Sequence, residues 1–220
     1  PEQWARDRTF QVQHLRLDIS IDQETRTVSG TATHRLTPIN DGLKEVVLDQ
    51  DDLIIRGVKD GDGKALEFEV VGQQLRIRLP RARKAGDAFE VRVRYEASPK
   101  KGLFFTAPDK GYPNKARIVW TQGEEMDNRS WYPAYDYPNQ KFTTELVVTV
   151  HERYRAVANG HLVAEKHDAN RHTRTFHWLQ DKPHPNYLVA LVVGEWDTKA
   201  WDADGVPVQA YVAKGLGQHI

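Results

Sequence analysis

Three carboxylates crowd into one short stretch of the sequence, directly after an apolar segment. The stretch runs from Gln122 to Asp127 and also holds an amide and a glycine, and the apolar segment before it is 118–120. A loop at the end of a strand is a common place for polar groups that converge on a ligand. Its acids cannot all neutralise one another, so the loop predicts a cationic partner: a metal, an internal arginine or a substrate amine. Alternatively, Arg129 pairs with Asp127 or Asp136 and the remaining acids are solvated.

Residues 151–155 nearly match the HExxH zinc signature, in which two histidines one helical turn apart bind a metal and the glutamate acts on its bound water. Arg155 stands where the second histidine is needed. The segment also continues a strand pattern, in which residues four apart are separated by roughly 13 Å. We therefore interpret it as the end of a strand, and we expect no zinc site in this chain.

Five histidines follow one another at spacings of 6, 5, 5 and 7 residues. These spacings fit no metal-binding pattern. We expect surface or half-buried side chains for all five, which are His161, His167, His172, His177 and His184.

About a dozen positions around the acidic loop occur at fixed spacing. They are 120–124, Arg129, 131–138 and 141–143. The pattern closely resembles the T-Q-x-E, R-x-x-[FY]-P-x-x-D-x-P and K-F-T signature of M1-family zinc aminopeptidases. Weaker matches lie in the right order at 102–105, 156–160 and 186–194. The resemblance spans nearly the whole chain, from His14 to about Val212.

This resemblance implies roles for the loop residues. Gln122 would line the pocket for the first side chain of the substrate, the S1 pocket, and Glu124 would bind the free α-amine. A fixed carboxylate in a closed site recognises a terminal ammonium through a charge-assisted hydrogen bond. The resemblance further implies a scaffold that holds the loop in shape, made by Arg129, Asp136, Pro133 and Pro138.

The sequence departs from the family pattern in two ways. Ala134 and Tyr137 replace the Cys and Glu that several relatives carry, both outside the proposed amine site. More importantly, the chain lacks the family's G-A-M-E-N motif, its zinc helix and its transition-state tyrosine, which follow the N-terminal domain in this family. We therefore expect zinc in a longer parent protein, with that parent's catalytic domain and peptide N-termini as partners. Without zinc there is no activated water, so this segment alone is expected to be inactive.

Two other functions compete with that interpretation. The family includes members whose N-terminal domain serves in protein assemblies, so a non-catalytic interaction module is the main alternative. Bifunctional relatives that also open lipid epoxides are a third. Glu124 favours the peptidase over the module, because a scaffold does not need a carboxylate at that position.

Composition narrows the class of protein. Lys+Arg and Asp+Glu both number 31, so the formal net charge is zero, and no basic stripe or acidic tail along the sequence favours a nucleic-acid partner. No apolar run approaches the roughly 20 residues of a membrane span, and the composition predicts a soluble globular protein with no membrane partner. There is no cysteine and no signal-peptide pattern, and both ends resemble cut ends. We expect a cytoplasmic protein in which the sequon at Asn128 is incidental.

Period-two alternation defines the elements that position the loop. Residues 15–21 alternate apolar and polar without a break, and short strands recur about every dozen residues. The chain is predicted to be all-β, an antiparallel multi-sheet β-sandwich, and the resemblance implies a saddle-like N-terminal domain. Residues 1–212 are predicted to form this single domain and 213–220 the start of a linker. The expected core comprises Leu15, Leu17, Ile19, Val91, Val93 and the run 188–193, part of an apolar strand at 187–194 buried on both faces.

Overall fold

Alternation of apolar and polar residues becomes strand structure along most of the chain. The computed structural model describes residues 7–220, which form sixteen β-strands and three short 3-10 helices but no α-helix. The all-β prediction is confirmed, and the first six residues of the predicted domain lie outside the described part. The strands are β1 (Phe10–Asp22), β2 (Thr27–Pro38), β3 (Leu43–Asp49), β4 (Ile54–Asp60), β5 (Phe68–Val71), β6 (Gln74–Arg83), β7 (Phe89–Ala97), β8 (Gly102–Thr106), β9 (Ile118–Gln122), β10 (Phe142–His151), β11 (Arg155–Ala158), β12 (His161–Asp168), β13 (Thr173–His184), β14 (Leu191–Gly194), β15 (Trp196–Ala203) and β16 (Val206–Ala213).

A seven-stranded sheet forms the largest layer, in the order β12-β13-β10-β1-β2-β7-β4. Its inner face carries the alternate residues that the sequence predicts as core: Leu15, Leu17 and Ile19 on β1 are at most 3% exposed. Val91 and Val93 on β7 are fully buried. Among the strand pairs of residues 7–220, β1 and β10 run parallel and the others run antiparallel.

Three smaller sheets complete the described structure. They are a four-stranded sheet in the order β11-β14-β9-β8, a three-stranded sheet β3-β6-β5 and the hairpin β15-β16. The four-stranded sheet matters most for function, because the acidic loop begins where β9 ends.

The apolar run at 187–194 differs from its prediction. Only Leu191–Gly194 is a strand, and Asn186–Leu188 is a turn of 3-10 helix. Leu188 is 48% exposed, whereas Val189 and Leu191 are buried. The run is therefore not a strand buried on both faces. The physical reason is Asn186, whose buried side chain is hydrogen-bonded in the core and keeps the chain in a turn until β14 begins.

The C-terminal strand β16 is an edge element. β16 pairs with β15 alone among the described strands, so its other edge is open. Pro207 fits such an edge strand, because proline has no N–H to donate to a further strand. After β16 the chain turns back, and the backbone N–H groups of Gly215 and Gly217 donate to Asp197 Oδ2 at 2.8 and 2.9 Å. The boundary between domain and linker at 212/213 stays a prediction.

No helix in residues 7–220 is both long enough and apolar enough to cross a bilayer.

Candidate functional site

The acidic loop begins at a close contact between two strands. β8 and β9 pair antiparallel with Gly102 opposite Gln122, so the end of β9 lies beside the start of β8. Gly102 has a φ of +71°, and a Cβ atom there would lie 2.1 Å from the carbonyl oxygen of Asp127. Only glycine permits both the left-handed backbone and this close approach. The far end of the loop therefore packs directly on the start of β8.

A second glycine fixes the near end of the loop. A Cβ atom on Gly123 would lie 2.5 Å from Nδ2 and 2.6 Å from Oδ1 of Asn128. The loop closes on itself, because the backbone N–H of Asp127 donates to the carbonyl oxygen of Gly123 at 3.1 Å. A turn of 3-10 helix, Asn128–Ser130, follows directly. The backbone that carries the acids is thus held at both ends.

The side chains of Gln122 and Glu124 are exposed to solvent. Within residues 7–220, neither side chain makes a hydrogen bond or an ion pair. Thr121 precedes Gln122 on β9, and its side chain is hydrogen-bonded: its Oγ1 accepts from the backbone N–H of Leu191 at 2.9 Å. An unpaired carboxylate and an unpaired carboxamide therefore project from a fixed backbone, available to a ligand.

Arg129 and Asp136 meet behind the loop. The backbone N–H and Nε of Arg129 donate to Asp136 Oδ2 at 2.9 and 3.2 Å, and its Nη2 donates to the Asp136 carbonyl oxygen at 2.8 Å. Of the two acids weighed as partners from the sequence, Arg129 pairs with Asp136 and not with Asp127. Arg129 also donates from Nε to the carbonyl oxygen of Met126 at 3.0 Å, which ties the pair to the loop backbone.

Asp136 is almost completely buried, at 1% exposure. Burial raises the pKa of Asp136, and hydrogen bonds from Arg129 and Asn186 act against that rise. Its backbone N–H donates to Asp49 Oδ2 at 2.8 Å, and Asp49 also lies 3.8 Å from Arg129 Nη1. A buried carboxylate with this many donors around it specifies one geometry for the segment.

The two prolines of the predicted scaffold lie in different environments. Pro133 is buried and next to Ala134, which forms a β-bridge with Asp49. Pro138 is exposed, in the turn that leads to β10. The scaffold role of Arg129, Asp136 and the two prolines stays a prediction, as does the amine-anchor role of Glu124.

His34 ties the Pro133 segment to the large sheet. Its Nε2 lies 3.0 Å from the carbonyl oxygen of Pro133. A carbonyl oxygen only accepts, so Nε2 carries the proton and donates. His34 is 1% exposed, and burial lowers its pKa to about 4. The imidazole is therefore neutral at pH 7 inside the fold.

We expect acid to weaken the fold through His34. An unfolded histidine titrates near 6.5 whereas folded His34 titrates at about 4, so the unfolded state binds more protons between these values. The stability is complete above about pH 6.5 and falls by about 3 kcal/mol as the pH drops to about 4. His34→Gln keeps an N–H donor without titrating. Its free energy of unfolding, measured in urea between about pH 7.5 and 4.5, should depend less steeply on pH.

Comparing the two proteins at each pH removes the contributions of other titrating groups, such as His184, whose pKa burial also lowers. Identical pH slopes for His34→Gln and the unmodified protein would contradict the assignment.

Sequence reasoning missed two buried asparagines of this region. Asn128 and Asn186 are 0% and 1% exposed, and each carboxamide is hydrogen-bonded. The visible signal at Asn128 was the sequon, but its side chain is enclosed in the fold. Nothing in a single sequence pairs it with an asparagine 58 positions away.

Four of the five histidines have the exposure that the sequence predicts, and one does not. His161, His167 and His172 are exposed and His177 is half-buried, as expected, whereas His184 is only 8% exposed. His184 differs because it lies at the end of β13, where its Nε2 forms a hydrogen bond with Thr144 Oγ1 at 2.9 Å.

The HExxH-like stretch is the end of a strand followed by a turn, because β10 ends at His151. In the described residues, no three His, Asp or Glu side chains converge as metal ligands.

Comparisons with known proteins point to one family. A family model described as the peptidase M1 N-terminal domain matches residues 11–188. Aminopeptidase B of Mus musculus is 28% identical over 211 residues, which cover 86% of this chain and 32% of that protein. Leukotriene A-4 hydrolase of Xenopus laevis is 28% identical over 205 residues, covering 88% of this chain and 33% of that protein. The chain spans about a third of the length of these curated relatives.

Solved structures show the same fold. An M1 zinc metallopeptidase from Deinococcus radiodurans superposes with a TM-score of 0.77 at 23% identity, covering 89% of this chain and 44% of that chain. Yeast LTA4 hydrolase in complex with bestatin superposes with a TM-score of 0.71 at 24% identity, covering 87% of this chain and 29% of that chain.

Proposed function

This chain belongs to the peptidase M1 N-terminal domain family, and from that premise we propose that it is the substrate-anchoring part of a longer zinc aminopeptidase. Glu124 binds the α-ammonium of a peptide N-terminus, and Gln122 lines the S1 pocket. Relatives named as aminopeptidases support the substrate class. A solved structure of the Deinococcus radiodurans enzyme, which shares the fold, holds a Tyr-Ser-Ala substrate.

The observation that carries this proposal is the unpaired Glu124 on a fixed backbone. Arg129 is the cation nearest to the loop in sequence, and it bonds to Asp136 rather than to the loop acids. The loop therefore offers negative charge to a partner from outside. Because the backbone is held at both ends, only the side-chain torsions of Glu124 have to be ordered when its carboxylate forms a charge-assisted hydrogen bond with an ammonium.

Zinc is implied by the names of the structural relatives. The described residues do not fit a zinc ion, because no three potential ligands converge among them. We therefore assign the zinc ligands and peptide hydrolysis to another part of the longer protein.

We assign the exposed apolar residues of the C-terminal hairpin and of the segment that follows it to packing against that catalytic part. Trp201, Val206 and Leu216 are 44%, 60% and 47% exposed. Tyr112, in the segment between β8 and β9, is 70% exposed. Apolar surface of this kind supports packing against a further domain, because interfaces between domains of one chain resemble protein–protein interfaces.

Gln122→Ala in the full-length protein should test the pocket assignment. We expect the ranking of first residues to change by about 10- to 200-fold in relative kcat/KM, because the variant alters the contact with the first side chain. The preference for a free over an acetylated N-terminus should persist, since Glu124 is untouched. The measurement is kcat/KM on a panel of aminoacyl reporters.

Gln11→Ala is the matched control. Gln11 is also an exposed glutamine, but it lies on β1 in a different sheet from Gln122. The pocket assignment fails if Gln122→Ala and Gln11→Ala leave the same ranking of first residues.

A further inference from the structure

The loop that presents Gln122 and Glu124 rests on a buried side chain. The atoms of the Asn128 carboxamide lie 2.5–2.7 Å from the position that a Cβ on Gly123 would occupy. Gly123 separates Gln122 from Glu124 in the chain, so the carboxamide supports the backbone midway between the two proposed substrate-binding residues. A shift of this carboxamide would move both.

Hydrogen bonds fix the Asn128 carboxamide at both of its polar atoms. Its Nδ2 donates to the carbonyl oxygen of Asn186 at 2.6 Å. Its Oδ1 accepts from Trp131 Nε1 at 2.8 Å. The two bonds require opposite atom types, so they set which way the carboxamide faces.

Asn186 extends this support to the buried ion pair. Its Oδ1 accepts from the Tyr132 hydroxyl at 2.7 Å, and its Nδ2 donates to Asp136 Oδ1 at 2.7 Å. Asp136 in turn holds Arg129, whose Nε bonds the loop carbonyl of Met126. The two asparagines therefore connect the middle of the loop, through Asn128, with its far end, through Asp136 and Arg129.

We propose that Asn128 and Asn186 are positioning residues that hold Gln122 and Glu124 in the geometry for substrate binding, a role that rests on the function proposed above. Carboxamides suit this task because each offers both a donor and an acceptor. An apolar side chain at position 128 would leave Trp131 Nε1 and the Asn186 carbonyl without a partner.

A double-mutant cycle in the full-length protein separates positioning from general stability. Asn128→Ser replaces the carboxamide by a smaller hydroxyl and should lower kcat/KM on a free-amine aminoacyl reporter by about 10- to 100-fold, as a small misplacement of a binding group does. In a Glu124→Ala background the same change should cost less than about threefold, because the amine anchor, one of the two positioned residues, is gone. A purely structural role would give equal factors in both backgrounds.

A second pair of variants keeps the test informative if Asn128→Ser does not fold. Asn186→Ser leaves the Gly123 contact intact and enters the same cycle. Gly123→Ala retains Asn128 but displaces its carboxamide, and Gly57→Ala is its matched control, because nothing lies within 4 Å of a Cβ at that position. Gly123→Ala should reproduce the loss, and Gly57→Ala should leave kcat/KM unchanged.

The outcomes distinguish this inference from the function on which it rests. Equal losses in both backgrounds, or no loss in either, would overturn the positioning role and leave the amine anchor standing. Wild-type kcat/KM in Glu124→Ala alone would overturn the anchor, and the positioning role with it.

Discussion

Replacing Glu124 by alanine in the full-length protein is expected to lower kcat/KM for substrates with a free N-terminus by about 30-fold to several thousandfold. The carboxylate is proposed to meet an ammonium in a site largely closed to water, and truncating one partner of such a pair costs about 2–5 kcal/mol. At about 1.4 kcal/mol per decade, that cost gives the stated range. The measurement is steady-state hydrolysis of an aminoacyl reporter.

Two neighbouring variants make this test specific. Glu125→Ala removes an exposed carboxylate one position away and should change kcat/KM by less than about threefold. Glu124→Gln keeps an oxygen acceptor and should retain part of the activity. A Glu124→Ala enzyme as active as the unmodified protein would refute the amine-anchor assignment, and a large loss in Glu125→Ala instead would move the anchor to that residue.

Replacing Asp136 by alanine is expected to destabilise the fold by about 3–5 kcal/mol, because it removes the buried carboxylate of the pair with the partly buried Arg129. Asp136 accepts bonds from the backbone and Nε of Arg129 and from Asn186 Nδ2. These donors would lose the carboxylate acceptor, and an unsatisfied buried donor costs free energy. Denaturant unfolding of the purified chain, with an unchanged m-value, measures the effect.

Asp127→Ala provides the control for this stability experiment. Asp127 is a half-buried acid of the same loop, and its hydrogen bonds to the rest of the structure come from its backbone. We expect it to change the free energy of unfolding by less than about 1 kcal/mol. If Asp136→Ala cost no more than Asp127→Ala, the buried pair would not be the scaffold of the loop.

Much of the fold could be predicted from local pattern. The unbroken alternation at 15–21 predicts one face of β1, and Leu15, Leu17 and Ile19 are indeed buried. Strand alternation is a property of neighbouring residues, so a single sequence carries it. The parallel pairing of β1 with β10 joins His14 to Thr143, far along the chain, and local pattern holds no signal for it.

The candidate site was likewise predictable only where residue type and spacing along the chain carry the signal. The acidic loop and Arg129 stand out by residue type and spacing, and the structure brings Arg129 to Asp136. The supporting pair of Asn128 and Asn186 depends on two chain segments that meet only after folding. The prediction of a strand over the whole apolar run 187–194 was wrong, because apolar residues such as Val189 fit a buried turn as well as a strand.

The central claim is that Glu124 receives the substrate's α-ammonium. The most direct measurement is a crystal structure of the full-length protein with a peptide or amino-acid ligand bound. We expect a Glu124 carboxylate oxygen at about 2.7–2.9 Å from the ligand's terminal nitrogen, the length of a charge-assisted hydrogen bond. A ligand whose terminal nitrogen is held by other groups, with Glu124 still facing solvent, would contradict the account.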